Sequence, residues 1–390
     1  MPSKKSKAEA DEAFASLVNS IVSVPNPQQN VSGEPGEAKL AQHICEWLTD
    51  HGIEYEADLK WGVHAKLTGP DGPGGPGMLL GAHMDSDHLK ISDLRNIHLD
   101  RTKGNQGTLM CPGQVGLDCK TGIAIALSVL ERLQQAPPAG GWQVHCLFTI
   151  GEESGQKGAV LAPVQRLLQN HVRYGIVIDR MTRGANAPVD SHGKPLRHAV
   201  SMYKGVPLLA ASSGAELLHH LNVGVAAVDP SAAARGALPL IESPNCADAI
   251  ELRGRWDAEV IAPMVGEPKA DGGRTPPAAL VEAISEYRRG TVDLVARMAK
   301  CAPDERVSSM NSHPRITRYH AMRAVHDALH GGKDGAPLYD EGALGFSCVN
   351  LSYDYDDADG YCDLEELDKT ARIVLHACVS AFGRMDTSPP

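Results

Sequence analysis

Four apolar runs in this chain of 390 residues each end on a carboxylate or an imidazole. Met78-Leu79-Leu80-Gly81-Ala82 leads into His83-Met84-Asp85, and Gly116-Leu117 leads into Asp118. Cys146-Leu147-Phe148-Thr149-Ile150-Gly151 leads into Glu152-Glu153, and Tyr174-Gly175-Ile176-Val177-Ile178 leads into Asp179. The steps His83 to Asp118, Asp118 to Glu152 and Glu152 to Asp179 are 35, 34 and 27 residues. Each is about one strand-plus-helix unit of ~30 residues. Strands built that way lie parallel, and open α/β sheets place their sites at the carboxyl edge. The spacing therefore predicts four polar groups converging on one sheet edge.

The stretches between these runs support that architecture. Residues 8–24 and 36–52 carry apolar groups at helical spacing and stop before Pro25 and at Gly52. Short strands are expected around 53–55 and 64–67, then a strong turn over 69–77 that reads as a hairpin tip. Residues 121–133 form a helix apolar on most sides, linked to a strand over 142–150. A helix over 158–169 leads to a strand over 175–178. The alternation predicts an α/β fold with a doubly wound, mostly parallel sheet flanked by helices. Beyond Asp179 the pattern loosens, and no long periodic helix is expected between 181 and 275. Helices follow over 277–300 and 315–329, a strand over 346–352 and an amphipathic helix over 363–382. The expected organisation is a catalytic first part over 1–180, mixed core segments with a small cap or oligomerisation region over 181–340, and a last strand and helix over 341–390.

Composition narrows the function classes. The formal net charge is −11, which argues against a nucleic-acid or anionic-membrane partner. No apolar stretch approaches the ~20 residues of a membrane helix. The basic start leads into Ala8-Glu9-Ala10-Asp11-Glu12, so no signal-peptide core is expected. Nine cysteines are scattered without a C-x-x-C pair. Reduced, mostly buried thiols in a cytoplasmic protein are the expectation.

Singly, each polar cluster has an ordinary explanation. Asp118 suits a helix N-cap, Asp179-Arg180 an ion-paired strand end, and Glu152-Glu153 a solvated acidic turn. Together they have a chemistry. His83 can bind a divalent ion while Asp85 accepts its other ring N–H. Adjacent carboxylates at the end of a buried strand repel each other, and a cation relieves that cost. One of the pair can then ligate while the other takes a proton from water. Arg253 and Arg255 suit either a clamp on a substrate carboxylate or ordinary ion pairs. His219, His220, His320, His326 and His330 read as surface or core residues; His313 is the one candidate for a lid.

The stretches Leu79–Asp85, Gly116–Gly122, Thr149–Gly155 and Ile178-Asp179-Arg180 resemble the co-catalytic di-zinc exopeptidase clan. That clan includes zinc aminopeptidases, peptidase T-like tripeptidases and carboxypeptidase G-like amidases. The likeness covers residues 36–180 and again 345–382. It implies that His83 and Asp179 hold one metal, Asp118 bridges, Glu153 holds a second metal, Glu152 is the general base and Asp85 orients His83. It also implies a sheet between helices with a lid or dimerisation insert, and a homo-oligomer.

One departure stands out. The clan places a final histidine ligand between a strand matched by 346–352 and a helix start matched by Tyr361-Cys362-Asp363-Leu364. Residues 353–360 contain no histidine. Asp356 or Asp357 are the candidate replacements, and carboxylates suit harder ions. The expected cofactor is one or two divalent ions, Mn or Zn. The expected activity is hydrolysis of a C–N bond in a small carboxylate-bearing substrate, either by an aminopeptidase, dipeptidase or N-acyl amino acid amidohydrolase, or by a hydrolytic deaminase of an aromatic amine. A non-catalytic binding protein on the same fold is the competing class.

Overall fold

The computed structural model describes residues 7–24, 36–85, 98–100, 102, 107–110, 117–153, 155–168, 172–181, 189, 193, 196–202, 211–234, 236, 238–242, 247–299, 314–330, 338, 346–354 and 361–383. Strands β1 (Glu54–Asp58), β2 (Gly62–Thr68), β3 (Gly77–His83), β4 (His98–Asp100), β5 (Thr108–Met110), β6 (Gln143–Thr149), β7 (Val172–Met181), β8 (His198–Met202), β9 (Leu240–Glu242), β10 (Glu267–Pro268), β11 (Arg274–Thr275), β12 (Ser347–Asp354) and β13 (Tyr361–Asp363) follow in chain order. Eight of them form one sheet in the order β1-β2-β6-β3-β7-β12-β8-β9. The pairs β6–β3, β3–β7, β7–β12 and β8–β9 are parallel. The pairs β1–β2, β2–β6 and β12–β8 are antiparallel. The sheet is thus mixed, with its parallel block at the centre.

The strand sequences explain the layering. Met78, Leu80 and Ala82 of β3 join one apolar cluster, and Leu79 joins the other. Likewise Val144, Cys146 and Phe148 of β6 face one side while Leu147 faces the opposite one. This period-two split of all-apolar strands is what a sheet covered on both faces requires. The first face is covered by the helices Lys7–Val22, Ala38–Asp50, Lys120–Gln135, Ala211–Val228 and Leu364–Phe382. The second is covered by Lys157–Leu161, Val164–Leu168, Ala247–Trp256, Ala278–Met298 and Pro314–His330.

Three expectations need correction. The turn at 69–77 is not a hairpin tip, because β6 lies between β2 and β3. Local turn chemistry carries no information about a strand that arrives later. The helix expected over 158–169 is two short ones, parted at Ala162-Pro163, since proline lacks the N–H that a continuing helix donates. Between 181 and 275 there is a long helix after all, Ala211–Val228. Its buried Leu217, Leu221 and Val225 recur at helical spacing, but alanine and glycine between them blur the contrast. Gly224 lets this helix press on the backbone of Ile373.

Segment 181–340 contributes β8 and β9 to the sheet and helices to both faces. No helix among the described residues is long and apolar enough to cross a membrane. The cysteines 119, 146, 348 and 378 are buried free thiols, and Cys362 is buried as well.

Candidate metal centre

Strand order builds the site. β6, β3 and β7 are adjacent and parallel, so His83 at the end of β3 lies between Glu152-Glu153 beyond β6 and Asp179 near the end of β7. Asp118 comes from the start of the buried helix Lys120–Gln135. Gly122 makes that placement feasible, because a Cβ there would lie 2.5 Å from the Ile178 carbonyl oxygen. Lys120 anchors the same helix start, donating to the carbonyls of Val24 at 2.6 Å and Val22 at 3.2 Å.

The donor atoms converge. Ligand atoms of His83, Asp118, Cys119 and Asp179 lie within 4.8 Å of one another, as do those of His83, Glu152 and Glu153. His83 belongs to both groups, as its central strand dictates. Its Nε2 is 3.1 Å from Asp118 Oδ1 and 4.0 Å from Asp179 Oδ1. Its Nδ1 is 3.0 Å from the Asp85 backbone oxygen and 3.3 Å from Asp85 Oδ1. A donated Nδ1–H would leave Nε2 facing the carboxylates, the arrangement metal-binding imidazoles use.

Asp85 does more than face His83. Its Oδ1 accepts the backbone N–H of Glu152 and its Oδ2 that of Glu153, both at 2.9 Å. One fully buried carboxylate therefore aligns the imidazole and the acidic turn together.

The electrostatics fit a divalent cation. Five carboxyl groups (Asp85, Asp118, Glu152, Glu153 and Asp179) surround one imidazole, with Arg180 as the nearby guanidinium. Burial, then the charge of Asp118, pushes the carboxyls of Glu153 and Asp179 well above the usual range. Burial opposes ionisation of Asp118 too, but Arg180 and His83 hold it well below that range. For His83, burial disfavours the imidazolium, yet hydrogen bonds to Asp118 and Asp85 outweigh it and raise its pKa well above the ordinary value. A centre that keeps protons on buried acids and on its imidazole is one a divalent ion can discharge by replacing those protons. One imidazole with several carboxylates suits one or two divalent ions.

Two features escape sequence reasoning. Arg180 pairs through Nε with Asp118 Oδ2, and its backbone N–H donates to Asp179 Oδ1 at 2.7 Å. Cys119 sits among the donors, but its thiol donates to the Ile178 carbonyl at 2.8 Å. Burial and the charge of Asp179 also raise its pKa well above a free thiol's.

Asp356, Asp357 and His313 lie outside the described residues. Arg253 and Arg255 are engaged in i,i+4 ion pairs with Asp257 and Glu259, at 3.0 and 2.9 Å, away from this centre. The rings of His326 and His330 are 4.4 Å apart on the helix Pro314–His330, and His220 meets Ser380 at 2.9 Å.

No protein-family model and no curated protein matches the chain. Solved structures resemble it at low identity. An aminopeptidase from the archaeon Desulfurococcus kamchatkensis is 10% identical with a TM-score of 0.48, over 97% of this chain and 99% of that one. A dipeptidase from Saccharomyces cerevisiae is 12% identical with a TM-score of 0.46, over 97% and 98%. A tripeptidase from Staphylococcus aureus is 15% identical with a TM-score of 0.45, over 96% and 99%.

Proposed function

We propose that this chain is a metal-dependent hydrolase that cleaves a C–N bond in a small carboxylate-bearing substrate, working as a homo-oligomer with one or two divalent ions, Mn or Zn. The observation that carries the reading is the convergence of His83, Asp118, Glu152, Glu153 and Asp179 on one sheet edge. His83, Asp118 and Asp179, with Glu153 from the other side, would hold the ion. A bound divalent ion supplies Lewis acidity that makes water a stronger acid and polarises the reacting group. Glu152 takes the proton of the attacking water and returns it to the departing nitrogen. Asp85 fixes the backbone of Glu152 and Glu153 and orients His83.

Within that reading, the finer assignment is hydrolytic deamination of an aromatic amine: 5-nitroanthranilate and water giving 5-nitrosalicylate and ammonia. Two observations favour it over aminopeptidase, dipeptidase or N-acyl amino acid amidohydrolase activity. Residues 353–360 lack a histidine, and Arg180 already occupies one oxygen of Asp118. Both weaken a second metal position. A ring nitro group stabilises the anionic addition intermediate through its own electron withdrawal, so less electrophilic help is required.

The experiment is incubation of the metal-supplied full chain with a dipeptide panel, N-acyl amino acids and substituted aminobenzoates. Ammonia release from an aminobenzoate without peptide cleavage supports the deaminase. Peptide or N-acyl cleavage alone selects the alternative. A chain that takes up no divalent ion even with these compounds present contradicts the hydrolase.

A further inference from the structure

The turn that carries Glu152 and Glu153 is gripped from more directions than its own strand provides. Besides the two N–H groups held by Asp85, the Gly151 N–H donates to Glu37 Oε1 at 3.2 Å. The Thr149 hydroxyl donates to Asp248 Oδ2 at 2.5 Å. Glu37 and Asp248 are each 5% exposed, and they come from opposite faces of the sheet. Glu37 precedes the helix Ala38–Asp50 on the first face; Asp248 is in the first turn of the helix Ala247–Trp256 on the second.

Glu37 occupies the N-cap position of its helix, yet its side chain makes no cap hydrogen bond there. It meets its own backbone N–H and reaches across to that of Gly151. Asp248 Oδ1 is buried with no hydrogen-bond partner among the described residues. Burying a carboxyl is costly, and satisfying one backbone N–H does not require it. The place they grip is also special: Gly151 has φ +59°, the left-handed region in which glycine is least strained, and a peptide there needs external definition.

We infer that Glu37 and Asp248 are positioning residues that clamp the segment Thr149–Glu153 from both faces of the sheet and so fix the direction in which the Glu152 and Glu153 carboxylates point. The inference rests on the proposed metal hydrolase for its purpose, but the clamp itself is a statement about backbone order. Loss of an outer partner of a metal ligand typically weakens binding by about 10–100-fold.

The test uses the full chain as wild type and as Glu37→Leu, Glu37→Gln, Thr149→Val and Asp248→Asn variants. Two quantities are read: hydrogen exchange of the amides at 151–153, and the affinity for Mn(II) or Zn(II) by calorimetry. Glu37→Leu should speed exchange at 151–153 without changing β3 or β7, and should weaken ion binding by about 10–100-fold. Glu37→Gln and Asp248→Asn retain an acceptor oxygen and should stay near wild type in both readouts. Thr149→Val removes the donor at the other end and should act like Glu37→Leu, which keeps the test open if the leucine variant fails to fold. Wild-type exchange and affinity in both Glu37→Leu and Thr149→Val would overturn the clamp while leaving the hydrolase standing. Faster exchange in those variants of a wild-type chain that binds no ion would remove the hydrolase and leave the clamp.

Discussion

Two regions of this molecule bury charge, and they do it in opposite ways. On the second face, Glu251 is buried against Arg318, whose Nε donates to Oε2 at 2.9 Å while Nη2 reaches Oε1. The Tyr287 hydroxyl, 2.9 Å from Arg318 Nη2 and 3.3 Å from Glu251 Oε1, completes the group. Six residues on, Asp257 accepts from Arg253 Nε at 3.0 Å on both oxygens. Each acid there has its own guanidinium. At the ends of β3, β6 and β7, five carboxyls face one imidazole and Arg180. The balanced cluster holds the fold together. The unbalanced one costs stability and is the place we propose for a cation and a substrate.

Breaking the contrast at its functional end should have the largest effect. Glu152→Gln removes the proposed base and should lower the turnover of the metal-loaded protein by about 10²–10⁴-fold, with little change in melting temperature. Steady-state kinetics beside a thermal melt checks both halves. Activity equal to wild type would remove Glu152 from the chemistry.

The structural end should break differently. Arg318→Ala leaves Glu251 buried without its cation and should destabilise by about 3–5 kcal/mol, whether or not metal is present. Denaturant titration reads this directly. Asp179→Asn should do the reverse in the metal-free protein, raising stability or leaving it unchanged, because it deletes a carboxyl that burial and Asp118 already disfavour. The same variant should lose the stabilisation of roughly 2.7 kcal/mol that an ion at a hundred times its Kd would confer on wild type. An Asp179→Asn protein as destabilised as Arg318→Ala would erase the distinction between the two regions.

The first half of this organisation was legible in the sequence. The runs ending at His83, Glu152-Glu153 and Asp179 are short and apolar, and with Asp118 between the first two the steps are 35, 34 and 27 residues, so strand identity, parallel order and convergence follow from local pattern. Asp118 was legible by its place at the head of a helix with no polar face. The interposition of β6 between β2 and β3 was not, because pairing partners far apart leave no local mark. Ala211–Val228 was hidden by its alanines and glycines. Arg180 reaches Asp118 and Glu37 reaches Gly151 across 62 and 114 residues. Such contacts are properties of the assembled sheet edge, and no spacing along the chain reports them.

The smallest effect concerns pH in the metal-free protein. Burial and neighbouring carboxylates raise the Glu37 carboxyl from 4.5 to about 7, and the Asp248 carboxyl from 3.8 to about 7. Acids raised in the folded state hold protons that the unfolded chain has released. Their stabilising contribution is complete at low pH and declines as pH rises through about 7, on the order of 1–3 kcal/mol per group. Between pH 5 and 8 the metal-free protein should therefore lose stability, and Glu37→Gln with Asp248→Asn should flatten that slope in melts across the range. Ion uptake should run the other way. His83, Glu153 and Asp179 must give up protons to bind, so affinity should increase with pH.

The most direct measurement is a crystal of the full chain soaked in Mn(II), with anomalous scattering recorded at the manganese edge. An anomalous peak bonded to His83 Nε2 and to carboxylate oxygens of Asp118 and Asp179 or Glu153 is expected, and its loss in a His83→Ala crystal. Manganese bound elsewhere with the His83 cluster empty, or a peak unchanged by His83→Ala, would contradict it.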